Sequence, residues 1–252
     1  RAQADKKKYH TEMKKVIENQ KNLRVIQTEA TKLKLNEDGS FNAYSKLGAY
    51  YKAKAVIVTT GTYLKGRIYI GELNYSSGPD GLAPANELSE SLMDLGIELR
   101  KFKTGTPARI HKDSINYEKM AEQSGDDEII PFSFMNDEIN IEQVPCYITY
   151  TTNETHELIR NNLDRSPLYG GVIKSVGPRY CPSLEDKVVK FSDKEKHQLF
   201  IEPEGLDTKE MYIQGMSTSL PYEVQIQMYR SMIGLEDAEI MRPAYAIEYD
   251  CI

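Results

Sequence analysis

The sequence predicts an α/β fold built in two parts, and three observations lead to this prediction. An initial helical pattern is followed by a β-rich stretch that ends in the uninterrupted apolar run AVIV at 55–58, which is typical of a strand buried in a parallel sheet. From Gly96 onward, short β patterns alternate with amphipathic helices. The last residues are again extended and apolar. We therefore expect domains at 1–95 and 96–240, with a return segment at 241–252.

Composition limits the class of protein. The chain has 252 residues, 40% of them hydrophobic and 28% charged, a globular rather than a disordered balance. It holds no apolar run near the ~20 residues of a membrane helix, so we expect no membrane span. The net charge of −6 excludes a uniformly basic nucleic-acid binder, although local basic patches remain open.

Cysteine and histidine usage bears on compartment and metals. The three cysteines form no CxxC pair, which favours a reducing, cytoplasmic location. The four histidines are dispersed without ligand spacing, so we expect no metal site.

In the first part, Tyr9, Met13, Val16 and Ile17 recur at helical spacing, with no evident capping residue before them. Residues 22–27 and 31–36 have strand patterns, and the EDGS sequence at 37–40 predicts a turn with Gly39 at positive φ. A second helix is expected at 87–95, with Leu88, Leu92 and Leu95 on one stripe.

The second part begins with a basic strand and turn, RKFKTGTPARI. Its cations Arg100, Lys101, Lys103 and Arg109 favour a phosphate cradle and a solvated basic edge strand equally. A polar loop is expected at 125–145, and a β run at 146–152.

Three further elements follow in the second part. They are an amphipathic helix at 154–164, a strand at 197–205, and a helix from about Pro221 that carries Val224, Met228 and Met232. We interpret Glu202 and Glu204 of the strand as exposed carboxylates, and the histidines as surface or satisfied residues.

The stretch GPRYCPS raises the question of a reactive thiol. Pro182 suits the first position of a helix, which would place Cys181 at the N-cap. A helix N-terminus and the nearby Arg179 would both lower the pKa of that thiol. Arg179 can pair with phosphate, and Tyr180 offers a flat face to a base. The alternative is that Cys181 is a small buried hydrophobe.

Residues 22–62, ending in TTGT, resemble flavoproteins of the two-dinucleotide-binding type. That resemblance places a strand near QTEAT along an adenine and lets Thr60 and Gly61 approach the cofactor. The GxGxxG fingerprint of FAD binding does not occur in this chain. We therefore expect an incomplete FAD-binding Rossmann-type domain with a β-meander that neither retains FAD nor is active alone.

Seven motifs together resemble the MnmG (GidA) family of tRNA-modifying flavoproteins over essentially the whole chain. In order they are FKTGTPARI, VPCYITYT, NLDRSPLYGGVI, VGPRYCPSLEDKV, IEPEGL, STSLPYEVQ and RPAYAIEYD. The fold that the resemblance implies is an α/β NAD-binding-like domain inserted into the FAD-binding domain.

The resemblance implies a cytoplasmic enzyme that uses FAD, NAD(H) and methylene-tetrahydrofolate. With a GTPase partner, MnmE, such an enzyme installs a carboxymethylaminomethyl or aminomethyl group on C5 of the wobble uridine in tRNA. It also implies a homodimer within a heterotetramer.

Carried over residue by residue, the resemblance assigns NAD binding to the segment 177–191. Its members are Gly177, Pro178, Arg179, Tyr180, Cys181, Pro182, Ser183, Leu184, Glu185, Asp186, Lys187, Val188, Val189, Lys190 and Phe191. Cys181 matches a cysteine implicated in activity, so we expect it to be catalytic. Arg179, Lys187 and also Lys190 are candidates for binding tRNA phosphates.

The same resemblance places Ala30 and Ala85 at FAD-contact positions. The family commonly has Pro-Ser where this chain has Pro84-Ala85. A side-chain contact is lost there, so a contact at Ala85 would use its backbone.

Two other classes of function stay open at this point. One is a related folate- and FAD-dependent tRNA uridine methyltransferase, which should lack most motifs of the second part. The other is a non-catalytic RNA-binding or protein-docking module, which an upstream sequence without GxGxxG would favour.

Overall fold

A computed structural model describes residues 3–178 and 182–252 of the chain. The helices among them are α1 (Lys6–Glu18), α2 (Leu88–Asp94), α3 (Asn153–Arg160), α4 (Leu184–Lys190) and α5 (Tyr222–Arg230). The first strands are β1 (Ala30–Leu35), β2 (Phe41–Ser45), β3 (Tyr50–Ala53), β4 (Arg67–Ile70), β5 (Leu73–Ser76), β6 (Arg100–Thr106) and β7 (Arg109–His111). The later strands are β8 (Ala121–Gln123), β9 (Cys146–Tyr150), β10 (Gln198–Pro203), β11 (Glu210–Gln214), β12 (Ile240–Arg242) and β13 (Tyr245–Cys251).

The described strands form three sheets, so the fold is a mixed α/β fold. Their orders are β1-β2-β3, then β12-β7-β11-β10-β9-β8, and β5-β4-β13-β6. Every pairing between these strands is antiparallel. Consequently, a parallel sheet of the Rossmann type is not present in the part of the chain that the structure describes.

The small sheet β1-β2-β3 is the predicted meander. Gly39 has a φ of 78° and makes the first turn, as the EDGS sequence predicted. Helix α2 lies on this sheet, where Leu88 and Leu92 pack with Leu33 of β1. The Ser91 hydroxyl fixes that contact, since it accepts from the Leu33 amide at 2.8 Å and donates to the Leu33 carbonyl at 3.0 Å.

The buried strand expected at 55–58 is wrong, because these residues form no strand and Ile57 is 87% exposed. A doubly buried strand needs neighbours on both edges, and the described residues supply none here. Val56 and Val58 instead pack at the side of the α2 cluster. The strand expected at 22–27 is also wrong, since these residues are exposed and form no strand, and Asn22 lies in a turn with a φ of 64°.

The main core lies around the six-stranded sheet. Ile110, Ile201 and Ile213 come from its central strands and are completely buried. Helices α4 and α5 cover them with Leu184, Val188, Val224 and Met228. The amphipathic patterns predicted for α3 and α5 are confirmed, and Pro221 directly precedes α5.

The four-stranded sheet joins distant parts of the sequence. Its strands β4 and β5 precede residue 96, β6 follows it, and β13 comes from the end of the chain. The domain limits at 96 and 240 stay a prediction. Every helix among residues 3–178 and 182–252 is too short or too polar to cross a membrane.

Gln225 of α5 connects that helix to Ala244, the residue just before β13. It is fully buried, donates to the carbonyls of Leu220 and Ala244 at 2.8 and 3.0 Å, and accepts from the Ala244 amide at 2.8 Å. Replacement by leucine would leave these backbone groups buried without partners. We expect Gln225→Leu to lower the free energy of unfolding by roughly 2–4 kcal/mol. Urea unfolding would measure this, with exposed Gln227→Leu on the same helix as the control, which should stay near parental stability.

His156 and His197 form a buried pair whose ring centroids are 5.4 Å apart. Burial lowers the pKa of both rings below the ordinary value, so the folded state keeps them neutral while an unfolded chain protonates them near pH 6.5. Stability should therefore be complete above that pH and fall as the pH drops below it. Thermal unfolding from pH 8 to pH 5 would test this, and a His156→Gln, His197→Gln variant should show a flatter dependence. An equally steep loss in that variant would contradict the assignment, with exposed His10→Gln as the control.

Candidate functional site

A cleft of about 620 Å³ opens beside the N-terminal end of α4. Its walls come from the residues before α1, the end of β6, strands β10 and β11, and the loop after β11. This size lies within the ordinary range for ligand-binding sites. Within the NAD segment 177–191, Pro182 and Lys187 line the cleft.

The start of α4 differs from the prediction. Ser183, not Cys181, is the N-cap residue: its hydroxyl accepts from the Asp186 amide at 3.2 Å, and Asp186 Oδ2 accepts in return from the Ser183 amide at 3.3 Å. This capping box outweighs the preference of proline for the first helical position. Pro182 therefore precedes the cap. Arg179, Tyr180 and Cys181 lie outside the described residues.

Three hydrogen bonds fasten α4 to the loop 215–219. The Leu184 amide donates to the Ser217 carbonyl at 2.7 Å, and Lys187 Nζ donates to the Gly215 carbonyl at 2.9 Å. The Ser219 amide donates to Glu185 Oε1 at 3.0 Å. This network fixes the direction in which Lys187 enters the cleft.

The two acids next to Lys187 have other described partners. Glu185 is buried against Ser219, while Asp186 accepts from Lys190 at 2.8 Å and from the Tyr169 hydroxyl at 3.3 Å. Burial raises the pKa of Asp186, but Lys190 and the other partners outweigh it, and the result is a lowered value.

The rest of the predicted segment divides between core and surface. Leu184 and Val188 are buried in the main core, whereas Val189 and Phe191 are exposed. Gly177 is exposed and Pro178 half-buried.

Glu202 and Glu204 line the cleft and are both 8% exposed, so the interpretation as exposed carboxylates is wrong. Glu204 Oε1 pairs with Arg109 Nε at 2.7 Å, and Oε2 pairs with Lys6 Nζ at 2.7 Å. Burial raises the pKa of Glu204, but the two cations overcome this and hold it below its ordinary value.

Sequence reasoning did not single out Lys6, Tyr212 or Gln214, which line the same cleft. Arg109 stacks at 4.9 Å and Lys6 at 4.6 Å from the ring centre of Tyr212, which lines the cleft with Gln214. The alternation in EPEG placed Glu202 and Glu204 on one face of the strand, and this was the available signal. The burial of Glu204 depends on Arg109, which is 95 positions away from it in sequence.

The remaining basic residues of RKFKTGTPARI lie on an edge strand. Strand β6 is at the edge of its sheet, and Lys101 pairs with Asp250 across to β13 at 2.8 Å. Lys103 is buried, and Arg109 is engaged by Glu204, Thr106 and Pro107. The phosphate cradle suggested for these four cations is therefore not formed as a group.

The positions expected to contact FAD make a second group. Three of them, Thr60, Gly61 and Ala85, lie close to one another. Tyr63 links them, since its amide donates to the Thr60 carbonyl at 3.0 Å and its carbonyl accepts from the Ala85 amide at 2.9 Å. Gly61 has a φ of 53°, and among the described residues a side chain there would meet only the Tyr63 ring at 4.0 Å. Ala30 is exposed at the start of β1.

These residues fit part of what a dinucleotide requires. Both backbone groups of Ala85 already have partners, since its amide donates to the Tyr63 carbonyl at 2.9 Å and its carbonyl accepts from the Lys65 amide at 3.0 Å. A further backbone contact there would use the second lone pair of that carbonyl. The cleft supplies charged groups, a flat tyrosine face and an amide, which suit a polar ligand with a planar ring. No cluster of potential metal ligands occurs within residues 3–178 and 182–252.

The chain matches known proteins over its whole length. The chain is 63% identical over 252 residues to a protein of Alkaliphilus metalliredigens named tRNA uridine 5-carboxymethylaminomethyl modification enzyme MnmG. A protein of the same name from Clostridium botulinum (strain Loch Maree) is 58% identical over 252 residues. Both matches cover all of this chain and 40% of the relative, so the chain spans about two fifths of the length of these relatives.

A solved structure, Aquifex aeolicus GidA in its form I crystal, superposes with a TM-score of 0.92. It is 51% identical and matches all of this chain and 43% of its own. The model of the family called Glucose inhibited division protein A matches residues 1–252. With a match along its whole length, the chain belongs to the GidA family.

Proposed function

We propose that this chain is part of a FAD- and NADH-dependent enzyme that modifies the wobble uridine of tRNA. With a GTPase partner of the MnmE type, it adds a carboxymethylaminomethyl or aminomethyl group to uridine C5, and methylene-tetrahydrofolate supplies the one-carbon unit. The observation that carries this proposal is the cleft beside α4. Pro182 and Lys187 of the predicted NAD segment meet a buried, charged wall there. The names of the relatives support the coarser part of this proposal, a carboxymethylaminomethyl modification of tRNA uridine.

The reaction assigns separate tasks to this chain's residues. Bound FAD and NADH would supply hydride transfer from the nicotinamide to the flavin. Thr60, Gly61, Ala30 and Ala85 would hold part of the flavin cofactor.

The cleft and the segment 177–191 would hold the nicotinamide cofactor and the uridine. Lys187, fixed by the Gly215 carbonyl, would present positive charge at the cleft wall. Uridine C5 becomes nucleophilic once a nucleophile has added at C6, and the Cys181 thiolate is our candidate for that role.

The proposal extends to assembly and location. We infer that residues 96–240 form the inserted NAD- and tRNA-binding domain, that the protein acts as a homodimer within a heterotetramer with its GTPase partner, and that it works in the cytoplasm. The direct test is reconstitution of the full-length protein with the GTPase, GTP, FAD, tRNA, NADH, methylene-tetrahydrofolate and an amine donor, which is glycine for the carboxymethylaminomethyl group and ammonium for the aminomethyl group. Mass spectrometry of the tRNA should show a modified wobble uridine, and its absence would reject the proposed function.

Replacing Cys181 by serine should abolish most modification while leaving stability unchanged. Since Ser183 caps α4, the substitution removes no cap, and loss of a nucleophile typically costs at least ~100-fold in rate. Modified uridine and thermal stability should be measured together in the full-length enzyme. Cys251→Ser on β13 is the matched control and should retain parental modification. Normal modification by Cys181→Ser would return this cysteine to a packing role.

Arg179→Ala and Lys187→Ala should weaken ligand binding, because each removes a proposed phosphate contact. For tRNA, each loss should reduce the slope of log affinity against log salt by about one unit. Titrations of tRNA at several salt concentrations, and of NADH, would measure the effect. Lys194→Ala, at an exposed position beyond α4, is the control. Parental affinity in both variants for both ligands would make this stretch a surface turn.

A further inference from the structure

The residues that precede α1 form one wall of the cleft and are held there by a polar clasp. We define the clasp as Asp5 and Lys6 bound to the turn Glu204, Gly205 and Leu206. Asp5 joins the two sides with one carboxylate: Oδ1 accepts from the Lys8 amide at 2.8 Å and caps α1, while Oδ2 accepts from the Leu206 amide at 3.0 Å. The start of α1 and the turn after β10 are therefore joined by one side chain.

Lys6 makes the second half of the clasp. Its amide donates to the Glu204 carbonyl at 3.3 Å, and its ammonium group pairs with Glu204 Oε2 at 2.7 Å. The same ammonium group lies 4.6 Å from the ring centre of Tyr212. Through Glu204 the contact continues to Arg109. Lys6 thus contacts two cleft-wall side chains, Glu204 and Tyr212.

Gly205 shows how closely the two sides approach. A Cβ at this position would lie 3.1–3.2 Å from the carboxylate atoms of Asp5, a distance at which the neighbour must move. The glycine of the EPEG motif therefore lets the turn lie directly on Asp5.

The clasp is a set of local contacts and contributes little to the stability of the main core. No residue of α1 is buried within the described part of the chain, and the Lys6 side chain is 62% exposed. When Lys6 is replaced, Arg109 stays paired with the buried Glu204 carboxylate, and contacts from an exposed lysine such as Lys6 stabilise a fold weakly. They can still fix a surface segment, which belongs to the least stable part of a structure. The effect of the clasp should therefore appear in ligand binding rather than in global unfolding.

We propose that Lys6 and Asp5 are positioning residues of the cleft, which hold Gln3, Ala4, Glu204 and Tyr212 in the arrangement that binds the ligand. This inference rests on the proposed function for the identity of the ligand, a nicotinamide dinucleotide. Neither residue reacts, and both act through the wall that they hold. Neither belongs to the segment 177–191 that the sequence indicated.

The test compares Lys6→Met, Lys6→Arg and Lys15→Met in the full-length enzyme. Lys15 is the matched control because its side chain is also 62% exposed and pairs with Glu12 at 2.6 Å on the same helix, away from the cleft lining. We expect Lys6→Met to raise the Kd and KM for NADH roughly tenfold with kcat within about twofold. Its midpoint of thermal unfolding should stay within about 2 °C of the parent. Lys6→Arg should restore affinity, and Lys15→Met should match the parent.

Amide hydrogen exchange at Leu206 gives a second readout that needs no ligand. This amide donates to Asp5, and the neighbouring Lys6–Glu204 ion pair helps to hold Asp5 in place. The amide should therefore exchange faster in Lys6→Met and at the parental rate in Lys15→Met. Unchanged exchange and unchanged NADH affinity in Lys6→Met would overturn the inference. The inference would also be overturned if Lys15→Met lost as much NADH affinity as Lys6→Met. A loss of affinity in Lys6→Met that accompanies a large fall in its thermal stability would overturn it too. If the parent itself binds no NADH, the proposed function fails, and exchange at Leu206 and at the cleft residue Gln214 alone decides whether the clasp positions the wall.

Discussion

The buried carboxylate of Glu204 is the interaction on which the cleft depends. Moving a charge out of water costs several kcal/mol, and only close opposite charges and hydrogen bonds offset that cost. Glu204 receives one cation on each oxygen, Arg109 at 2.7 Å and Lys6 at 2.7 Å. Since these partners come from the KTGTPAR turn and from the start of α1, one carboxylate brings three separate segments of sequence to one place.

A second constraint concerns the entry of α4 into the cleft. The helix has only seven residues, too few to be stable through its own backbone hydrogen bonds. It is held by the Ser183–Asp186 capping box at its start, by Leu184 and Val188 in the core, and by the loop 215–219 at its side. The polar groups at this end of the helix are therefore fixed by tertiary contacts, which gives Lys187 a defined direction.

Local patterns in the sequence predicted the elements that depend on local interactions. The turn at Gly39, the amphipathic helices α3 and α5, and the strand β10 that carries Glu202 and ends just before Glu204 are all present. The strand predicted at 55–58 is absent because a strand forms only when neighbouring strands pair with it, and apolar composition does not reveal whether such neighbours exist. The N-cap was misplaced for a different reason. The S-x-x-D spacing of Ser183 and Asp186 was readable, but the proline preference at Pro182 was given more weight. The N-cap role of Asp5 was missed because a single aspartate before a lysine run carries no capping-box partner.

The same distinction explains what could be predicted of the site. The motif GPRYCPSLEDK identified the segment beside the cleft, but the opposite wall is made by Lys6, Glu204 and Tyr212, which meet only in the folded chain. The charges of that wall also limit how the proposed tRNA substrate could bind. Among the described residues that line the cleft, the two lysines Lys6 and Lys187 are matched by Glu202 and Glu204, and the whole chain has a net charge of −6. The long-range electrostatic attraction of phosphate to these residues is therefore weak, because an equal number of carboxylates neutralises their positive charge. Selectivity at this site must come from the placement of individual groups, and that placement depends on the paired carboxylate of Glu204.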